Sequence, residues 1–271
     1  MFDRSGQIKE ETIVLRSLRH SESSRIITLF SKESGKLAVM AKGSRRAKSP
    51  GAGAGCEPPC RMEAIIYTKP GREVQNLGTT TILSGYPHIR DDLMLTGYAS
   101  AVLELMVKSF RAGEPNEEAY NAAVWALEVL DLFTGDARIV LWRFMLDLIN
   151  ALGFDIDLTA CPVCGTEKTA ISLRNTFKIS SGGFVCPNCV QIEANQEYGQ
   201  TGENQTVTVT GESVALLRQV AIGNITVLSR LKPSAHAREE ITSLLIRYIR
   251  MHHPEIGALP ALGMIGSLEV R

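Results

Sequence analysis

Over the first eighty or so residues the apolar positions alternate with polar ones instead of recurring every third or fourth place. Short β-branched or apolar runs occupy residues 12–16, 25–31, 36–42, 61–68 and 72–83, with turns between them. In the third run Leu37, Val39 and Ala41 alternate with Lys36, Met40 and Lys42, so one face reads as core and the other carries cations. Ser34-Gly35 and Pro70-Gly71 mark turns. Five short strands in this span predict a small barrel; the oligonucleotide-binding (OB) barrel has five, and an SH3-like barrel fits nearly as well. Residues 43–59 are rich in Gly, Ala, Ser and Pro and read as a long loop.

From residue 91 the period becomes helical. Asp91 or Asp92 can cap a helix carrying Leu95, Tyr98, Val102, Leu105 and Met106, ending near Gly113. Pro115 is expected to open a second helix with Tyr120, Val124, Leu127 and Leu130 on one face, and Asp136 a third with Ile139, Trp142, Phe144 and Leu146, stopping at Gly153. Residues 159–190 interrupt the series. There Ser180-Ser181-Gly182-Gly183, flanked by Phe177, Ile179, Phe184 and Val185, reads as a hairpin. A polar stretch over 195–205 leads to helices near 211–222 and 234–252, the last with Ile241, Leu244, Leu245, Tyr248 and Ile249 on one face. No internal repeat is visible.

The interruption carries the most specific chemistry. Cys161-Pro-Val-Cys164 and Cys186-Pro-Asn-Cys189 are two C-x2-C pairs separated by 21 residues. That spacing can bring four thiolates to one tetrahedral Zn2+, and Gly165 allows the tight turn that brings amides to the sulfurs. Two disulfides or a dithiol redox pair are the alternatives, but the βαβ context of a redox pair is missing. Four cysteines leave no open position, so one structural zinc is expected rather than a catalytic one. Cys56 and Cys60 form a C-x3-C pair with no second pair, and read as two free cysteines at a strand entrance. His20 and the pair His252-His253 read as surface or capping residues.

The net charge is zero, yet residues 1–80 hold 14 Lys/Arg against 8 Asp/Glu while the remainder holds 15 against 21. A basic front half implies an anionic partner, although solvation of a small domain explains the charge equally well. Lys42, Arg45, Arg46 and Lys48 cluster at the mouth of the Gly-rich loop, Arg16, Arg19 and Arg25 flank the first strand connection, and Lys36 shares a face with Lys42. Cations at strand ends and loops of a barrel are where a groove for phosphates would lie. With only Phe30 and Tyr67 nearby as aromatic platforms, backbone electrostatics should dominate over base stacking.

Composition is that of a globular chain, 44% apolar and 21% charged. No secretory leader and no bilayer-length apolar run are visible, so the expected home is the reducing cytoplasm. No phosphate-binding loop, nucleophile elbow or zinc-protease motif is present, and Asp91-Asp92 reads as a helix cap. The chain is therefore not expected to be an enzyme. A nuclease holding Mg2+ on Asp91-Asp92 is the enzymatic alternative, and a zinc-containing module of transcription or translation the alternative within the binding class.

Three segments are familiar: Thr12-Ile-Val-Leu-Arg16, residues 21–30, and residues 35–43 followed by Arg45-Arg46. With residues 98–105 and the cysteine pairs with Gly182-Gly183, they resemble the RecO family of recombinational DNA repair proteins. The resemblance covers most of the chain, and the N-terminal run is its most specific part. It implies an α+β multidomain architecture: an OB-type barrel over 1–83, a helical domain over 84–158 and 191–271, and an inserted four-cysteine zinc module over 159–190. It also implies binding of single- and double-stranded DNA, annealing of complementary strands, and loading of RecA together with RecR onto DNA coated by single-strand-binding protein, whose C-terminal tail docks on the helical domain. Some members lack the cysteines, which implies a stabilising role for the metal. The implied location is cytoplasmic, at the nucleoid.

Overall fold

The computed structural model describes residues 6–44, 56–167, 171–196 and 206–269. The chain divides into two compact units, Met1–Leu132 with Ala258–Arg271, and Phe133–Gly257.

The first unit begins with β1 (Gln7–Arg19), β2 (Arg25–Ser31), β3 (Gly35–Ala41), β4 (Cys60–Tyr67) and β5 (Val74–Ser84). They close into a barrel in the order β1-β2-β3-β5-β4, antiparallel throughout except for the parallel β3–β5 pairing. This is the strand order of an OB-type barrel, which decides against the SH3-like alternative. β1 is long enough to serve two neighbours: residues 7–14 pair with β4 and residues 12–19 with β2, and a bulge between Val14 and Arg16 bends the strand. Ile8, Val14, Ile27, Leu29, Val39, Met62, Ala64 and Ile66 fill the interior.

β2 is buried on its outer side as well. Phe30 is fully enclosed, its ring centroid 5.0 Å from that of Phe110, so the barrel wall there is covered by helical chain. Three helices follow the barrel: α1 (Pro87–Asp91), which the periodicity did not announce, α2 (Leu93–Ser109) and α3 (Glu117–Leu132). Asp92 caps α2, accepting from the Leu95 amide at 2.9 Å. Asn116 caps α3 through the Ala119 amide at 2.8 Å, so Pro115 precedes the cap instead of opening the helix. The chain's last helix, Pro260–Glu269, returns to α2, where Glu104 accepts from the Ala261 amide at 3.0 Å.

The second unit holds α4 (Ala137–Ala151), capped by Asp136, then β6 (Arg174–Lys178) and β7 (Gly183–Val185) as the expected hairpin, then α5 (Pro187–Gln196). β8 (Thr206–Thr210) adds to the far side of β6, giving the order β7-β6-β8. α6 (Gly211–Ile222), α7 (Ile225–Leu228) and α8 (Ala235–His252) follow, α6 capped by Thr210 and α8 by Ser234. Phe177 of β6 sits edge-on between Phe184, at 5.1 Å, and Tyr248 of α8, at 5.9 Å, which pins the sheet to the helix. Trp142 is wholly buried and donates its indole N–H to the Thr242 hydroxyl at 3.0 Å. Among the described residues no helix is long and apolar enough to cross a membrane.

Candidate functional site

In the second unit the two cysteine pairs converge. The Sγ atoms of Cys161, Cys164, Cys186 and Cys189 all lie within 4.8 Å of one another, and such a group could hold a metal ion. Each pair is shaped by its own turn. Gly165 adopts φ +71° and donates its amide to the Cys161 carbonyl at 2.9 Å, while the Cys161 amide donates to Thr166 O at 2.9 Å. Pro187 starts α5, which places Cys189 in the first helical turn. The Cys186 amide donates to Cys161 Sγ at 3.3 Å, so the second turn supplies an N–H to a sulfur of the first. Cys161 and Cys189 are buried, Cys186 is half-buried and Cys164 is exposed. The Thr166 hydroxyl, 3.2 Å from Cys164 Sγ, is the main cause that pulls that thiol down to about 6, whereas hydrogen bonding with Cys186 pushes Cys189 up to about 12. The donor set is soft, all-sulfur and closed.

In the first unit the predicted cations separate into groups. Arg19 pairs with Arg25 across β1–β2, and Arg25 with Ala41 across β2–β3, so Arg16, Arg19, Arg25 and Lys42 gather at one end of the barrel. Arg16, Arg19 and Lys42 are exposed there. Arg25 is half-buried, ion-paired with Glu57, and donates to Ser17 Oγ at 3.2 Å. Lys36 lies at the other end of β3, six residues from Lys42 or about 20 Å along a strand. Its ammonium donates to the Val107 carbonyl in the last turn of α2 at 2.6 Å, and desolvation holds it below the usual lysine range. The chain therefore uses Lys36 to join barrel to helix. Arg45, Arg46 and Lys48 lie outside the described residues. Phe30 is core and offers no stacking face, while Tyr67 is 49% exposed.

Two features escaped the sequence pattern. Glu57 neutralises Arg25 from 32 positions away, a separation that leaves no local signal. Cys56 and Cys60 are free and stand at the entrance to β4 as expected, but their enclosure in the barrel core beside Met62 was not legible.

A closed five-stranded OB-type barrel, in a chain that adds a helical unit carrying four convergent cysteines, places the protein among the multidomain proteins built on an OB-type barrel. Comparison with known families agrees. Residues 5–86 match the family described as Recombination protein O N terminal, and residues 90–256 match Recombination protein O C terminal. A DNA repair protein RecO of Desulforamulus reducens is 28% identical over 246 residues, 90% of this chain and 89% of the relative. Those of Desulfitobacterium hafniense and Exiguobacterium sibiricum are 28% and 34% identical over 236 and 178 residues, covering 87% and 66% of this chain and 81% and 68% of the relatives. The chain belongs to the RecO family of DNA repair proteins.

Proposed function

We propose that this protein is a DNA-binding recombination mediator that performs no covalent chemistry. It binds single- and double-stranded DNA, anneals complementary strands, and acts with RecR in the cytoplasm to load RecA onto DNA coated by single-strand-binding protein, contacting that protein's C-terminal tail. The observation that carries the reading is the match of both halves of the chain, in order, to the two RecO family regions. Arg16, Arg19 and Lys42, exposed at one barrel end, supply the physical means. Cations facing two backbones lower the repulsion between complementary strands, and phosphate contacts leave the base edges free to pair. Arg25 joins this set once phosphate displaces Glu57, and Arg45, Arg46 and Lys48 extend it along the sequence.

One structural Zn2+ is the ion we assign to the cysteine cluster. Sulfurs about 2.3 Å from a tetrahedral centre are separated by about 3.8 Å, and Cys164 Sγ and Cys186 Sγ stand 3.7 Å apart. Its contribution is to the stability of the second unit. The test of the whole reading is annealing of complementary strands precoated with single-strand-binding protein, with and without the chain. Acceleration by the chain is expected; an unchanged annealing rate would remove the mediator reading.

A further inference from the structure

Two guanidinium groups stand opposite each other at the barrel end where the exposed cations gather. Arg19 of β1 faces Arg25 of β2 directly across the ladder, and like charges in that position repel. Arg25 shares the inward register of β2 with the fully buried Ile27 and Leu29, so it stands half-buried at the mouth of the barrel. The chain answers this charge from a distant segment, where the Glu57 carboxylate pairs with Arg25.

That carboxylate is positioned by its own backbone. Arg90 donates to the Glu57 carbonyl at 2.7 Å, to the Pro59 carbonyl at 3.1 Å and to the Gly85 carbonyl at 2.6 Å. One guanidinium thus ties the residues before β4 to those after β5. The Glu57 side chain is 45% exposed, so it can turn into solvent while its backbone stays fixed. Arg25 also donates to Ser17 Oγ at 3.2 Å, and keeps that partner when the carboxylate leaves.

A phosphodiester carries the same single negative charge as a carboxylate and accepts from a guanidinium in the same forked geometry. We propose that Glu57 is an intramolecular stand-in for a backbone phosphate, and that it sets the DNA affinity of this barrel end because a phosphate must displace it from Arg25. The inference rests on the reading of this end as a DNA surface. Arg16, Arg19 and Lys42 are exposed and form no ion pair among the described residues, so they meet phosphates without giving up a protein partner. Arg25 must give one up. A strand held at the other three cations presents its next phosphate at high effective concentration and drives the exchange. The carboxylate returns when the strand leaves, so the opposed arginines always have an anion beside them.

The experiment titrates single-stranded DNA into the full-length protein by fluorescence anisotropy at one salt concentration. The variants are Glu57→Gln, Arg25→Gln and the two combined, with Glu63→Gln and Lys42→Ala as controls. Glu63 removes an equal charge from a place opposite Glu11, eight residues or about 25 Å along β1 from Arg19, beyond the reach of screened charge. Glu57→Gln should bind about three- to fivefold more tightly than the wild type, because an ion pair no longer has to be broken, while Glu63→Gln stays close to the wild type. Arg25→Gln should weaken binding clearly in the Glu57→Gln background and hardly at all in the wild type, where the phosphate contact is offset by the lost ion pair. Binding by Glu57→Gln no tighter than by Glu63→Gln would overturn the proposal, and that comparison decides alone should Arg25→Gln fail to fold. So would an equal gain from Glu57→Gln with and without Arg25, since the carboxylate would then repel DNA without yielding its place. In either case a loss of affinity in Lys42→Ala leaves the DNA surface standing and removes only the exchange; a wild type that binds no DNA would remove both.

Discussion

Lys36 is the residue on which charge pattern and structure make different predictions, and Lys36→Met separates them. Methionine keeps the length of the apolar stem and removes the ammonium that donates to the Val107 carbonyl. A hydrogen bond from a charged donor contributes about 1.5–3 kcal/mol, and a cation at the last turn of a helix adds about 0.3–1 kcal/mol. Desolvation opposes both, because burial already disfavours the charged form. The expected net loss is therefore about 1–2 kcal/mol, or a fall in Tm of about 3–6 °C for a unit of this size. The sign of the pH dependence follows as well. The folded-state pKa lies below 10.5, so the unfolded chain binds more protons in the interval between the two values. Stability of the wild type should rise with pH across that interval, and the methionine variant should lose this rise.

DNA binding supplies the contrast. Replacing Lys42, or Arg16 with Arg19, by alanine should flatten the slope of log affinity against log salt by roughly 0.7–0.9 per charge, while stability changes by less than about 0.5 kcal/mol. Lys36→Met should leave the salt slope of the folded protein unchanged. Circular dichroism melts and fluorescence anisotropy titrations with single-stranded DNA at several salt concentrations read both quantities. A Lys36→Met variant with unaltered Tm and a salt slope reduced as far as that of Lys42→Ala would refute the assignment of Lys36 to the barrel–helix junction.

The barrel was legible because the interior of a small barrel imposes a period of two on each strand, and Ile27 with Leu29, or Met62 with Ala64 and Ile66, keep that period. The cysteine centre was legible because each half is a local turn, with Gly165 in one and Pro187 in the other. What the pattern concealed is contact at long range. Lys36 and Val107 are 71 residues apart, and a lysine on the outward register of a strand looks the same whether it meets solvent or a helix end. The packing of the barrel with the helices that follow it is hidden for the same reason. Phe30 reads as an ordinary strand residue, yet its ring needs Phe110, and Gly35 needs the chain at Glu114 to lie against it. The first compact unit accordingly runs through α3 and takes back the C-terminal helix. That helix contains Gly263 and Gly266, poor helix formers that conceal it from propensity; docking on α2 through Glu104 and Ala261 sustains it. β8 had a signal, the alternation Thr206-Val-Thr-Val-Thr210, but without a visible partner a five-residue run is indistinguishable from the polar stretch before it.

Four further substitutions test the packing, the metal and a hydrogen-bonded carboxylate. Gly35→Ala should cost more than about 4 kcal/mol in urea unfolding, because Gly35 has φ +67° and an added Cβ would stand 2.1 Å from the Glu114 carbonyl oxygen. Gly71→Ala, at φ +74° but with nothing within 4 Å, should cost only about 1 kcal/mol. Equal costs at the two positions would show that backbone conformation, not close approach, governs Gly35. Cys164→Ser, or chelation of the wild type, should release near-stoichiometric zinc and destabilise the second unit by more than about 3 kcal/mol, while DNA affinity per folded molecule stays the same; four titratable thiols in a metal-free, fully stable chain would exclude the metal. The last test concerns Glu240, which accepts from Ser213 Oγ at 2.6 Å and from Thr210 Oγ1 and N at 2.7 and 2.9 Å. Burial raises its carboxyl, but these donors outweigh burial and hold it below 4.5. A depressed carboxylate contributes stability that is complete above the unfolded value and is lost as pH falls through the folded one. Glu240→Ala should therefore cost about 3 kcal/mol at pH 7, because the Thr210 amide and the Thr210 and Ser213 hydroxyls lose their charged acceptor, and should flatten the acid limb of the stability curve below about pH 4.5. An acid limb identical to that of the wild type would show that other carboxylates, not Glu240, carry the pH dependence.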